Sequence, residues 1–375
     1  MRKHLDNIYR LGVKELWSLA RDPILVVLVI FSFTVTIYSS ATAIPETLNN
    51  ASMAVVDEDV SQLSSRMISA FFPPRFLPPE DITLDKMDRG MDTGEYTFVL
   101  NIPPQFQRDV LAGKTPDLQL NVDATRMSQA FTGSGYIQQM IMDEVGEFVA
   151  RYRAPESQPV ELSLRMRFNP NLTTSWFGSL MEIINNVTML SIILTGAALI
   201  REKEHGTIEH LLVMPVTPTE IMLSKIWSMG LVVLVAAGLS LVLVVRGLLS
   251  VPITGSITLF LIGAALHLFA TTSMAIFMAT VARSMPQFGM LLILVLLPLQ
   301  MLSGGTTPRE SMPGPVQNIM MLAPTTHFVE LGQGILYRGA GLDVVWPPFL
   351  ALFIIGGVFF TISLIRFRKA IVEMA

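Results

Sequence analysis

The chain has 375 residues, 51% of them hydrophobic and 15% charged, and a net charge of −4, which places it among membrane proteins or proteins with a membrane half. With no cysteine, disulfides, thiolate catalysis and cysteine metal sites are excluded. Five scattered histidines without HExxH-type spacing argue against a metal centre, and the mildly acidic balance gives no reason to expect nucleic acid as a partner.

Residues 1–23 place Arg2, Lys3, Arg10, Lys14 and Arg21 around Ile8, Leu11, Leu16, Trp17 and Leu19. This predicts a basic amphipathic helix with an interfacial Trp, lying along the cytoplasmic membrane surface. Asp22-Pro23 marks a bend, and residues 24–44 follow as a first span, uncharged from Ile24 to Ala43. Ala41-Thr42-Ala43 also resembles a signal-peptide cleavage site. The apolar stretch is longer than a signal peptide needs, and an amphipathic leader is atypical of one, so an uncleaved anchor is expected.

Residues 45–171 change character, with 18 acidic and 11 basic residues and no spanning run. Strands are predicted over Ser52–Val56, Tyr96–Ile102, Leu118–Val122 and Val160–Phe168, and helices over Ser61–Phe72, Pro104–Leu111 and Ser128–Tyr152. Their alternation implies an inserted mixed α/β domain able to bury its own core. Asp57-Glu58-Asp59 and Asp123 near Arg126 follow strands, where caps and solvated strand ends are commoner than cation sites. No catalytic constellation is present.

Residues 172–375 return to the membrane. Apolar runs at Leu180–Ile200, Ile226–Val245, Ile257–Val281, Phe288–Leu302 and Phe349–Ile365 bring the expected total to six spans. The 304–346 segment, broken by Pro308, Pro313, Pro315 and Pro324, is too irregular to cross and is expected at the outer face or re-entrant. The cytoplasmic segments of an N-in, C-in arrangement hold 12 Lys and Arg, against Arg246, Arg309 and Arg338 in the short outer ones. Glu182, His267 and Glu330 are candidate intramembrane polar residues, because such groups are costly in lipid. His267 has a plainer reading as a hydrogen bond to a neighbouring helix, and Glu182 as an interfacial group.

Between the second and third spans lies Arg201–Lys225, REKEHGTIEHLLVMPVTPTEIMLSK. It is expected to form two short amphipathic helices hinged at Met214-Pro215, the second capped by Thr217 with Pro218 at its first position and Glu220 completing a capping box. Glu202, Glu204, Gly206, Thr207, Glu209, Leu211, Leu212, Pro215, Glu220 and Lys225 resemble the corresponding loop of type-2 ABC exporter permeases. Val56–Ser61, Ile102–Phe106, Arg167–Asn171 and Gly332–Leu336 resemble the multidrug-type branch, so the likeness covers nearly the whole chain. The resemblance implies a polytopic α-helical permease whose 201–225 loop couples to an ABC ATPase subunit. It also implies a second permease copy, contact with membrane lipid, and for so large an outer domain a periplasmic adaptor. It places the chain in the bacterial inner membrane and implies export of a hydrophobic or amphipathic substrate. No Walker A sequence occurs, so no cofactor is expected on this chain, and ATP-Mg belongs to the partner. The alternatives are a secondary transporter, which lacks support from internal repeats, and a membrane-anchored binding or sensor protein.

Overall fold

The computed structural model describes residues 2–42, 50–125, 127–152, 168, 173–206 and 215–374. It divides into two compact units, one of residues 1–43 with 166–375 and one of residues 44–165.

The first unit is helical. Helix α1 (Arg2–Ala20) precedes a turn at Asp22, whose side chain accepts from the Leu25 N–H and caps α2 (Pro23–Phe33). The chain breaks at Thr34 and resumes as α3 (Val35–Thr42), so the first apolar stretch is two helical pieces rather than one. The Thr34 hydroxyl bonds back to the Ile30 carbonyl at 2.6 Å, a bond that bends helices.

Helix α8 (Thr174–Glu204) carries the next apolar run straight through to its charged end, and α9 starts at Pro218 and runs to Ser240. A wide turn of π-helix, Leu241–Leu248, extends α9. Then come α10 (Ile257–Val281) and α11 (Met285–Met301), the latter interrupted by Pro298. Two short helices, α12 (Gly314–Met320) and α13 (Pro324–Gly332), occupy the irregular segment, and α13 runs into a π-turn at Gln333–Tyr337. Helix α14 (Leu342–Met374) ends the described chain. Among the described residues, five stretches are long and apolar enough to cross a membrane: 23–42, 175–204, 218–248, 257–281 and 342–370. Helix α11 has 17 residues and falls short of that length.

Helix α10 sits at the centre, packed on α8, α9, α13 and α14. Its buried face includes Phe260, Ala264, Leu268 and Ala275. Hydroxyls and an amide join the apolar helices: Asn186 donates to Ser32 O at 2.7 Å, Ser240 to Phe33 O at 2.6 Å, and Ser363 to Ser273 O at 2.6 Å. Each satisfies a group that would be costly to leave bare in lipid.

Among the described residues, the second unit is a four-stranded sheet covered by helices. Strands β1 (Met53–Asp57), β2 (Glu80–Asp81), β3 (Phe98–Ile102) and β4 (Gln119–Val122) lie in the order β2-β1-β3-β4. β1 pairs parallel with both neighbours, and β4 pairs antiparallel with β3. Helices α4 (Gln62–Ala70), α5 (Leu84–Asp92), α6 (Phe106–Leu111) and α7 (Met127–Tyr152) complete it. Its core gathers Met53, Leu63, Phe76, Phe98, Ile137 and Phe148. β2 and α5 carry too short or too polar a pattern to read from sequence. The strand expected over 160–168 lies, but for Phe168, outside the described residues. The carboxylate cluster is a set of caps: Asp57 accepts from the N–H groups of Asp59 and Val60 and from Ser64 Oγ, and Asp59 from the Gln107 N–H. Asp123 likewise accepts from Thr125, while Arg126 lies outside the described residues.

Candidate functional site

The segment between α8 and α9 is built from both ends inward. On the α9 side the sequence dictates a strong helix start. Thr217 Oγ1 accepts from the Glu220 N–H, Glu220 Oε2 accepts from the Thr217 N–H, and Pro218 takes the first helical position. Glu220 is buried, and its other oxygen receives His4 Nδ1 at 2.9 Å and Asn7 Nδ2 at 3.1 Å, both from α1. On the α8 side, Gly206 closes the helix at φ +65°, where glycine bears no Cβ penalty. Lys203 Nζ donates to Ala282 O at 2.8 Å and the Met285 N–H to Glu204 Oε1 at 2.7 Å, tying the end of α8 to the α10–α11 turn. Arg201 pairs with Asp22 at 2.9 Å.

Under α1 the two ends meet. Lys225, 1% exposed, stands 3.1 Å from Glu15 Oε1 and 2.7 Å from Glu202 Oε2, while Lys14 reaches Glu202 Oε1 at 3.0 Å. Two lysines and two glutamates from α1, α8 and α9 thus form one closed ion cluster. Burial pushes the Glu15 carboxyl above the usual range, against the pull of Lys225. Burial works to lower Lys14, yet Glu202 and Glu15 outweigh it and hold that ammonium above its ordinary value. The contact is close because Gly12 lets α1 touch α9: a Cβ there would lie 2.2 Å from the Trp227 ring. Trp227 Nε1 donates to Ile8 O at 3.1 Å, and Tyr9 stacks on its ring.

Six of the ten sequence-selected loop residues are therefore placed. Glu202, Glu204, Gly206, Pro215, Glu220 and Lys225 are described, whereas Thr207, Glu209, Leu211 and Leu212 lie outside the described residues. Of the first helix expected in the loop, residues 201–204 form the last turn of α8, and residues 207–214 lie outside the described residues. Glu202 is drawn inward by two lysines. Sequence reading missed Glu15, His4 and Asn7. Glu15 had a local signal, being an acid three and four residues from Gly12 and Leu19 on the buried stripe of α1.

The three intramembrane candidates do not converge. His267 is fully buried, accepts or donates at Thr188 Oγ1 over 2.8 Å, and stacks on Phe328 of α13 with centroids 4.1 Å apart. Glu182 is half-buried one turn before Asn186. Glu330 is exposed, since α13 turns Pro324–Val329, Leu331 and Gly332 inward and leaves this one position outside. It does not belong with buried polar groups.

Comparison with known proteins fits these observations. The ABC-2 family transporter protein model matches residues 23–365. The chain is 67% identical, over the full length of both, to inner membrane transport permeases of Escherichia coli K12 and Shigella flexneri. It is 26% identical to a probable multidrug ABC transporter permease of Escherichia coli K12, covering 97% of this chain and 99% of that one. With several membrane-length helices and these relatives, the chain is a multi-pass inner-membrane protein of transport and belongs to the ABC-2 family of transporter permeases.

Proposed function

We propose that this chain is the membrane subunit of an ATP-driven exporter and that residues 201–225 form the seat of a separate ABC ATPase. The observation that carries the reading is the anchoring of that loop: both of its ends are fixed to α1, one through Glu202 and the other through Glu220 and Lys225. A loop held at both ends transmits a push to α8 and α9 instead of absorbing it. Conformational work done by a nucleotide-driven partner then becomes a coupling free energy between the cytoplasmic seat and the spans. Glu209 supplies the polar contact and Leu211 with Leu212 the apolar one, with Thr207, Gly206, Glu204 and Pro215 shaping the turn.

In this arrangement the chain crosses six times, α11 included, with both termini cytoplasmic and residues 45–171 outside. Two copies enclose the pathway, nucleotide is held by the partner, and the outer domain meets a periplasmic adaptor. A hydrophobic or amphipathic substrate is supported by the multidrug name of the 26% relative and by the resemblance in the outer domain.

Co-purification with the cognate ATPase tests it, using the native chain and a Glu209→Lys/Leu212→Asp double variant. The native chain is expected to retain the ATPase and stimulate its turnover, and the variant to lose both while still folding. A native chain that purifies folded and alone, with no ATPase bound, overturns the reading in favour of a secondary transporter.

A further inference from the structure

Beneath α1 lies a cavity of about 280 Å³. Its polar side is formed by Lys14, Glu15, Ser18, Arg201, Glu202 and His205, and its apolar side includes Leu19, Leu25 and Met229. We propose that this cavity binds the zwitterionic headgroup of an ethanolamine-type glycerophospholipid, with the phosphate on Arg201 and Lys14 and the ammonium on Glu15.

Charge selects the headgroup. Around the cavity Lys14, Lys225 and Arg201 balance Glu15, Glu202 and Asp22, three against three. Such a site has no net field to concentrate an anion, but it presents both signs to a ligand that carries both. Each sign has unused capacity. Arg201 spends Nη1 on Asp22, and its other donors have no partner among the described residues. Glu15 spends Oε1 on both lysines, and its Oε2 has no partner among the described residues. Size argues the same way, since pockets for whole drug-sized ligands run from about 300 to 1,000 Å³. This cavity suits a headgroup whose tails lie elsewhere.

Position supplies the tails. Along α1, Leu5, Tyr9 and Trp17 are exposed at 62%, 63% and 62%, and Arg21 sits 5.8 Å over the Trp17 ring. Aromatic and basic side chains together mark the headgroup level of a bilayer. From the cavity edge at Leu25, the exposed Ile24, Val27 and Phe31 continue along α2 as an apolar track for acyl chains. The assignment stands whether or not residues 201–225 seat an ATPase.

The test uses the full chain in nanodiscs containing a phosphatidylethanolamine with a diazirine at the top of one acyl chain and its headgroup free. Adducts are expected on residues 14–31 and 198–205, displaced by unlabelled phosphatidylethanolamine but neither by phosphatidylglycerol nor by soluble phosphoethanolamine. Arg201→Gln removes a charge-assisted contact, and Ser18→Trp fills the space without changing charge. Each is expected to cut labelling about tenfold while leaving the melting temperature near that of the native chain. Labelling spread evenly over all spans would overturn the proposal in favour of ordinary annular lipid. Equal competition by phosphatidylglycerol would overturn it in favour of a plain anion site, and displacement by phosphoethanolamine in favour of a soluble ligand.

Discussion

Lys225 is the residue on which the described part of the 201–225 segment closes. It is almost fully buried, with a carboxylate on either side from two other helices. Lys225→Met keeps its bulk but leaves Glu15 and Glu202 facing each other with only the half-exposed Lys14 between them. Breaking a buried pair in this way costs about 3–5 kcal/mol, so a marked drop in melting temperature is expected. Adding Glu15→Gln to Lys225→Met removes one of the two stranded carboxylates and should recover part of the loss, and its failure to do so would show that the pairing is not what Lys225 contributes. Glu15 adds a pH dependence. Its carboxyl is raised by burial, so the folded chain holds this proton more tightly than the unfolded chain does. Native stability relative to Glu15→Gln should therefore rise as pH falls through the folded pKa, and level off below the unfolded one. Parallel melting curves of the two proteins from neutral pH downward check the sign.

At the scale of elements, α1 is more than an amphipathic leader, because its inward face binds the start of α9 and the end of α8. Gly12 makes that approach possible, so Gly12→Val drives a side chain into Trp227 and should cost about 1–3 kcal/mol. If Gly12 serves this packing, tryptophan fluorescence should report Trp227 in a wetter setting. An unchanged spectrum and melting point would count against it. Thr217→Ala removes the cap of α9 and should cost about 1 kcal/mol. The contrast between these two sites shows what the sequence could reveal. Thr217, Pro218 and Glu220 were legible as a helix start because all the partners lie within four residues. Gly12 and Glu15 meet partners 210 and more residues away, and the spacing that sets Glu15 with Gly12 and Leu19 does not say what either one meets. Apolar runs located the helices but not their joints: the break at Thr34 falls where side chains bond the carbonyls of Ile30, Ser32 and Phe33, two of them from other helices, and the start of α9 was read from its cap and not from its apolar run. In the second unit, α4, α6 and α7 were readable from their stripes, whereas a two-residue β2 leaves no pattern to find.

For the whole molecule, the open physical question is whether α11 crosses the membrane. At 17 residues and about 1.5 Å per residue it spans roughly 25 Å, a few ångströms short of a hydrocarbon layer of about 30 Å. Pro298 inside it and the short polar turns around it give no extra length. Crossing then requires local thinning of the bilayer, at a fraction of a kcal/mol per Å of mismatch, set against the packing of α11 on α8. Parity ties this helix to the rest: six crossings put Lys3 and Lys369 on one side, five put them on opposite sides. The absence of cysteine makes the measurement direct. Single cysteines at Lys3, Ser69, Thr93, His205, Arg283, Glu310 and Lys369 can be probed with a membrane-impermeant maleimide before and after permeabilisation. Ser69→Cys, Thr93→Cys and Glu310→Cys are expected to label from outside in intact spheroplasts, and the other four only once the membrane is opened. If the cysteines at 283 and 310 label from the same side, α11 is a re-entrant hairpin arm. In that case the last crossing runs the other way, and α14 would deliver the C-terminus to the outer face.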